Sequence, residues 1–192
     1  MQARYLFAFA FAIALSGASH AVVLSGTSGP SANTVSDYSA PGQVSFDLDL
    51  ASFAPTRLDF VIEAGDLLGP LNLNAIVRNL SGAALSTFDF RLDGISFAQA
   101  GTVTPTFGTL GSTGYGSDVA SIRFSAPEWA EFHFGNPLGQ AGAADWLLST
   151  AGLRAGDTFS ITAEVPEPSS AALMLSALCM SGLLALRRRS RS

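Results

Sequence analysis

The side chains that could do chemistry in this chain are mostly carboxylates. Fifteen Asp and Glu residues stand against ten basic residues, all of them arginine, and there is no lysine. Past the first twenty residues there is one histidine, His133, and the one cysteine, Cys179, lies in an uncharged C-terminal run. A catalytic triad on His133 would need a nucleophile in a defined setting, and no G-x-S-x-G, H-E-x-x-H, phosphate-binding or dinucleotide-binding motif supplies one. Alternation in Glu131-Phe-His133-Phe puts the imidazole on the outer face of a strand, and exposure there is the expectation. One histidine without cysteine partners argues against a structural zinc site. Asp47 and Asp49 share one strand face, and Asp89 and Asp93 flank another. Calcium would relieve their repulsion, but the D-x-D-x-D-G spacing is missing and solvated faces are expected. Glycoside hydrolysis would need two carboxylates at a set separation in space, which spacing along the chain does not provide. Thr102, Thr104 and Thr106 alternate in a way that could suit ice, but Pro105 breaks the row. Trp129, Trp146 and Tyr115 lie near loops. Packing at a sheet edge is the plainer expectation for them, and stacking on sugar rings the alternative. Asn79-Leu80-Ser81 fits a glycosylation sequon, which says little by itself. No metal, cofactor or catalytic residue is assigned.

The elements that would carry these residues read as strands. Val44, Phe46, Leu48 and Leu50 alternate with polar residues, as do Leu71 to Arg78, Thr87 to Asp93 and Asp157 to Val165. Leu58–Glu63, Val119–Phe124 and Ala130–Phe134 read as further strands, and Ile95 to Phe107 continues in β fashion. Gly108 to Gly116 reads as a loop on its four glycines, Val22 to Gln43 as a loose arm starting with a short strand, and Asp145 to Leu148 as one helical turn or a small 3₁₀ piece. The sum is eight or nine short strands in an all-β domain. An antiparallel β-sandwich, jelly-roll or immunoglobulin-like, is the expected fold. Eleven phenylalanines between residues 22 and 164 would fill its core in place of disulfides.

The two ends differ in kind from this middle. Residues 1–21 have Arg4, an apolar stretch from Leu6 to Leu15 and small residues before Ala21, and so read as a signal peptide cut between Ala21 and Val22. At the other end Val165-Pro166-Glu167-Pro168 must be extended and stiff, because each proline fixes its φ and restrains its predecessor. The run 171–186 is uncharged and would span roughly 24 Å as a helix, a short membrane span. Arg187, Arg188, Arg189 and Arg191 then mark a cytoplasmic end. Residues 22–168 hold all fifteen acidic residues and five arginines, a net charge of −10. That balance disfavours nucleic acid, since nothing neutralises phosphates.

The order Pro-Glu-Pro motif, short apolar span, arginine cluster resembles the PEP-CTERM sorting signal over about residues 165–192. The resemblance implies export by the Sec machinery and a transient hold in the inner membrane. It also implies processing by an exosortase-type enzyme near residues 165–168, and delivery to the cell surface or matrix of an exopolysaccharide-making Gram-negative bacterium. Exopolysaccharide is then a candidate partner. The domains are read as signal peptide 1–21, exported β domain 22–164 and sorting signal 165–192, with motif 165–168, transmembrane helix 171–186 and basic tail 187–192. The expected function is that of a non-enzymatic surface or matrix protein. A secreted polysaccharide hydrolase and a calcium- or ice-binding domain are the alternatives.

Overall fold

Alternation produces strands here because each inward side chain is paired with an outward polar neighbour that water can keep. In a computed structural model, which describes residues 21–166, thirteen strands form. They are β1 (Val23–Ser28), β2 (Thr34–Asp37), β3 (Gln43–Leu50), β4 (Thr56–Val61), β5 (Leu71–Asn79), β6 (Leu85–Asp93) and β7 (Ser96–Gln99). The rest are β8 (Val103–Pro105), β9 (Thr109–Tyr115), β10 (Val119–Glu128), β11 (Glu131–Phe134), β12 (Trp146–Ser149) and β13 (Thr158–Glu164). One 3₁₀ turn, Ala64–Leu68, precedes β5.

The strands lie in two sheets. One has the order β1-β4-β13-β6-β10-β9, and the other β2-β3-β5-β11-β8, with β12 pairing both β5 and β7. All pairings are antiparallel except β3 with β5, which run parallel over Gln43–Leu50. The chain leaves β3 for β4 in the opposite sheet before returning to β5, so the two strands re-enter their sheet in the same direction. The expected wholly antiparallel arrangement is corrected to a mixed one on this point.

Phenylalanines join the two sheets. Phe90 of β6 meets Phe134 of β11 at 4.8 Å and Phe46 of β3 at 6.0 Å, and Phe88 meets Phe132 at 5.2 Å, all edge to face. Nine of the eleven phenylalanines expected to fill the core are buried. Edge-to-face rings add to the benefit of the buried area. The expectation of a packed core without disulfides holds for the described residues.

Three segments differ from the sequence reading. The supposed arm before residue 43 contains two strands, because β1 pairs with β4 and β2 with β3. The glycine-rich loop is the edge strand β9, paired antiparallel with β10. A Cβ on Gly111 would sit 3.1 Å from the carbonyl oxygen of Arg123, so glycine eases the close approach of β9 to the bulged β10 at that point. The supposed helical turn at Asp145 is β12, with Trp146 opposite Leu73 and stacked on Phe134 at 4.5 Å.

Phe90 touches rings from β3, β6 and β11. Phe90→Ala is therefore expected to cost about 3–5 kcal/mol, read as a lower urea midpoint with an unchanged slope.

Candidate functional site

Three places gather the candidate residues: the junction between domain and tail, a buried carboxylate beside it, and the charged outer faces of the sheets.

At the junction, β13 is hydrogen-bonded on both sides, with Ala163 opposite both Thr56 and Phe90 and Glu164 opposite Asp89. Arg91 grips Glu164 through its Nε. That hydrogen bond, together with the attraction of the carboxylate, holds the Arg91 guanidinium above its ordinary pKa. Val165 packs half-buried against the core, and Thr87 Oγ1 donates to the Pro166 carbonyl at 3.5 Å. Ser52, Phe53, Ala54, Pro55, Glu164 and Pro166 line an open depression of about 700 Å³ here. Ala21 and Val22, the expected signal cleavage site, open the described chain, and Val22 is already a core residue at 2 % exposure. Glu167, Pro168, the run 171–186 and Arg187, Arg188, Arg189 and Arg191 lie outside the described residues, as does most of the signal peptide.

Glu128 ends β10 near this junction, with its side chain fully buried. Its Oε2 accepts the backbone N–H groups of Thr106, Phe107 and Gly108 at 2.9–3.0 Å. Its Oε1 accepts those of Trp129 and Ala130, each at 2.9 Å. Among the described residues no cation pairs with it. Burial works to raise its pKa, but the backbone donors outweigh burial and hold the carboxyl below its ordinary value. Gly108 is needed because a Cβ there would lie 2.9 Å from the Ala126 carbonyl oxygen. The two turns this carboxylate ties together hold out Phe107, 73 % exposed, and Trp129, 57 % exposed. Sequence reading missed both Glu128 and Phe107. The available signal was Pro127-Glu-Trp129, an acidic residue at the end of an apolar strand with no basic neighbour.

The outer faces carry ladders of paired charge. Arg78 donates to Asp47 at 2.5 Å and Asp49 at 3.0 Å, and stands 3.6 Å from Glu131. The hydrogen bonds to Asp47 and Asp49 hold Arg78 above its ordinary pKa. Asp89 is buried, not solvated as expected, and takes Arg123 Nη1 at 3.0 Å. Asp93 stays exposed, 3.5 Å from Arg57. An arginine thus stands where a cation would relieve these carboxylates, and no cluster of three or more metal-ligating side chains occurs among the described residues.

His133 is 9 % exposed and not open to solvent as alternation suggested. It sits between Ile76 and Thr104 on neighbouring strands, and its Nε2 lies 3.4 Å from a Glu131 oxygen. Trp146 is fully buried, whereas Tyr115 is half exposed and meets it edge-on. The threonines do not form a strand row: only Thr104 lies in β8, and Thr102 bonds Ala144 instead. Asn79 is buried and its amide donates to Ala83 and Glu128 carbonyls, so the sequon is occupied by structure.

Compared with known proteins, the chain matches the family model of the PEP-CTERM protein-sorting motif over residues 164–189. No curated protein and no solved structure matches it. The tail is therefore a PEP-CTERM sorting motif, which marks its carrier for an exosortase-type enzyme and for placement outside the cell. The matched segment begins at Glu164, the last residue of the last strand.

Two outcomes follow from these sites. Glu128→Gln should lower stability by at least about 2 kcal/mol at neutral pH, since a neutral amide cannot accept five donors. A depressed folded pKa gives stability that is complete above the unfolded value and lost as pH falls through the folded one. The gap between wild type and variant in thermal melts should therefore close below about pH 4. Millimolar calcium or a chelator should leave the melting temperature unchanged, because Arg78 already bridges the carboxylates that calcium would need.

Proposed function

We propose that this chain is a precursor of an exported, non-enzymatic protein of the cell surface or exopolysaccharide matrix. The Sec machinery exports it, the tail holds it briefly in the inner membrane, and an exosortase-type enzyme releases it. One observation carries this reading: the sorting motif starts at Glu164, where the folded domain stops. Glu164 is the last paired residue, so processing near Pro166-Glu167-Pro168 would detach the tail without removing any strand. The domain's own carboxylates support a structural role. Asp47, Asp49, Asp89 and Glu164 are engaged by arginines, Asp66 by the backbone N–H groups of Gly42 and Glu63, and Asp145 by Asn136 and Asn74.

Replacing Pro166, Glu167 and Pro168 together by alanine tests the reading in the producing cell. The expected outcome is an uncut product of higher mass that stays in the membrane fraction. Processing and surface delivery identical to wild type would contradict it.

A further inference from the structure

Strand directions place five loops at the end of the sandwich where the tail leaves: residues 29–33, 51–55, 80–84, 106–108 and 129–130. The register shows this directly. Glu164 lies opposite Asp89, and the same end of β6 meets the end of β10, with Glu128 opposite Leu85. Arg78, near the end of β5, meets Glu131 at the start of β11. None of these five loops contains Asp, Glu, Lys or Arg. They expose Leu80 at 59 %, Phe107 and Trp129. The loops at the opposite end hold five acidic residues, Glu63, Asp66, Asp118, Asp145 and Asp157, with Arg154 the one base. That end also exposes Leu68, Tyr38 and Leu138, but its loops carry charge.

We infer that this end with its uncharged loops, through Trp129, Phe107 and Leu80, is a bilayer-contact surface that seats the domain on the membrane while the tail holds it there. The inference rests on the proposed membrane hold of the tail. Four residues, Glu167 to Ser170, separate Pro166 from the uncharged run 171–186. Fully extended they reach at most about 14 Å, so the end that emits the tail is the one that meets the lipid. Charged loops there would lose hydration against the bilayer, and these loops have no charge to lose. Tryptophan and other aromatic rings favour the membrane interface, where an apolar face and a polar edge are both satisfied. The Glu128 carboxylate holds the turns of Phe107 and Trp129 in place, so little ordering is required on contact.

The two tryptophans make the test selective, because Trp146 is fully buried and Trp129 is not. The full chain is reconstituted into phosphatidylcholine vesicles with lipids brominated near the headgroup, and membrane hold is read by flotation. The expected result is flotation, loss of most of the Trp129 emission in brominated vesicles, and no such loss in Trp129→Phe, whose remaining signal is Trp146. Flotation with Trp129 unquenched overturns the inference and leaves the sorting reading standing. Failure to float removes both together. If Trp129 is unquenched by lipid but shifts its emission on adding dextran, the patch belongs to a glycan and the bilayer assignment is wrong. The wild-type measurement needs no substitution, so a misfolded variant cannot mask the answer.

Discussion

The carboxylate of Glu128 is buried with no cation beside it among the described residues, and five backbone N–H groups replace the water it gives up. A buried charge is tolerable only with that degree of compensation. The consequence extends past the residue itself. Two turns from different strand pairs, 106–108 and 129–130, share one anchor, and Asn79 links the turn after β5 to the same spot through the Glu128 and Ala130 carbonyls. Three connections between the sheets are thus held to one point. Loops so anchored can be short and free of charge while still exposing aromatic rings.

The phenylalanine seam supplies the bulk of the cohesion, and it was the part most legible in the sequence. Val44 to Leu50 and Phe159 to Ala163 alternate cleanly, and both bury the residues that alternation selects. Legibility failed where a tertiary neighbour decides the outcome. Gly111 looks like a loop residue until β10 lies against it, and Trp146 looks like a loop aromatic until Phe134 stacks on it. His133 is on the outer face as read, yet neighbouring strands bury it, because facing outward from a sheet and facing water are different things in a central strand. Glu128 was missed for a related reason. Its five partners are backbone groups, and backbone donors have no signature in a sequence.

Domain and tail divide the work between them. The tail carries an address that was readable from three short features in order, and the family match covers residues 164–189. The last strand of the domain is paired on both sides up to the residue where the address begins. In the proposed life of the protein, the end of the domain that feeds the tail toward the membrane is the one whose loops carry no charge. Folding and delivery then impose compatible demands on one surface, and Glu128 is the residue that reconciles them by placing a charge where no solvent or lipid meets it.

Amide hydrogen exchange on the full chain tests this central role most directly. The N–H groups of Thr106, Phe107, Gly108, Trp129 and Ala130 should exchange as slowly as those of β5 and β10, because releasing them means exposing a buried carboxylate. Exchange at the rate of ordinary surface turns would show that Glu128 does not hold this end of the molecule.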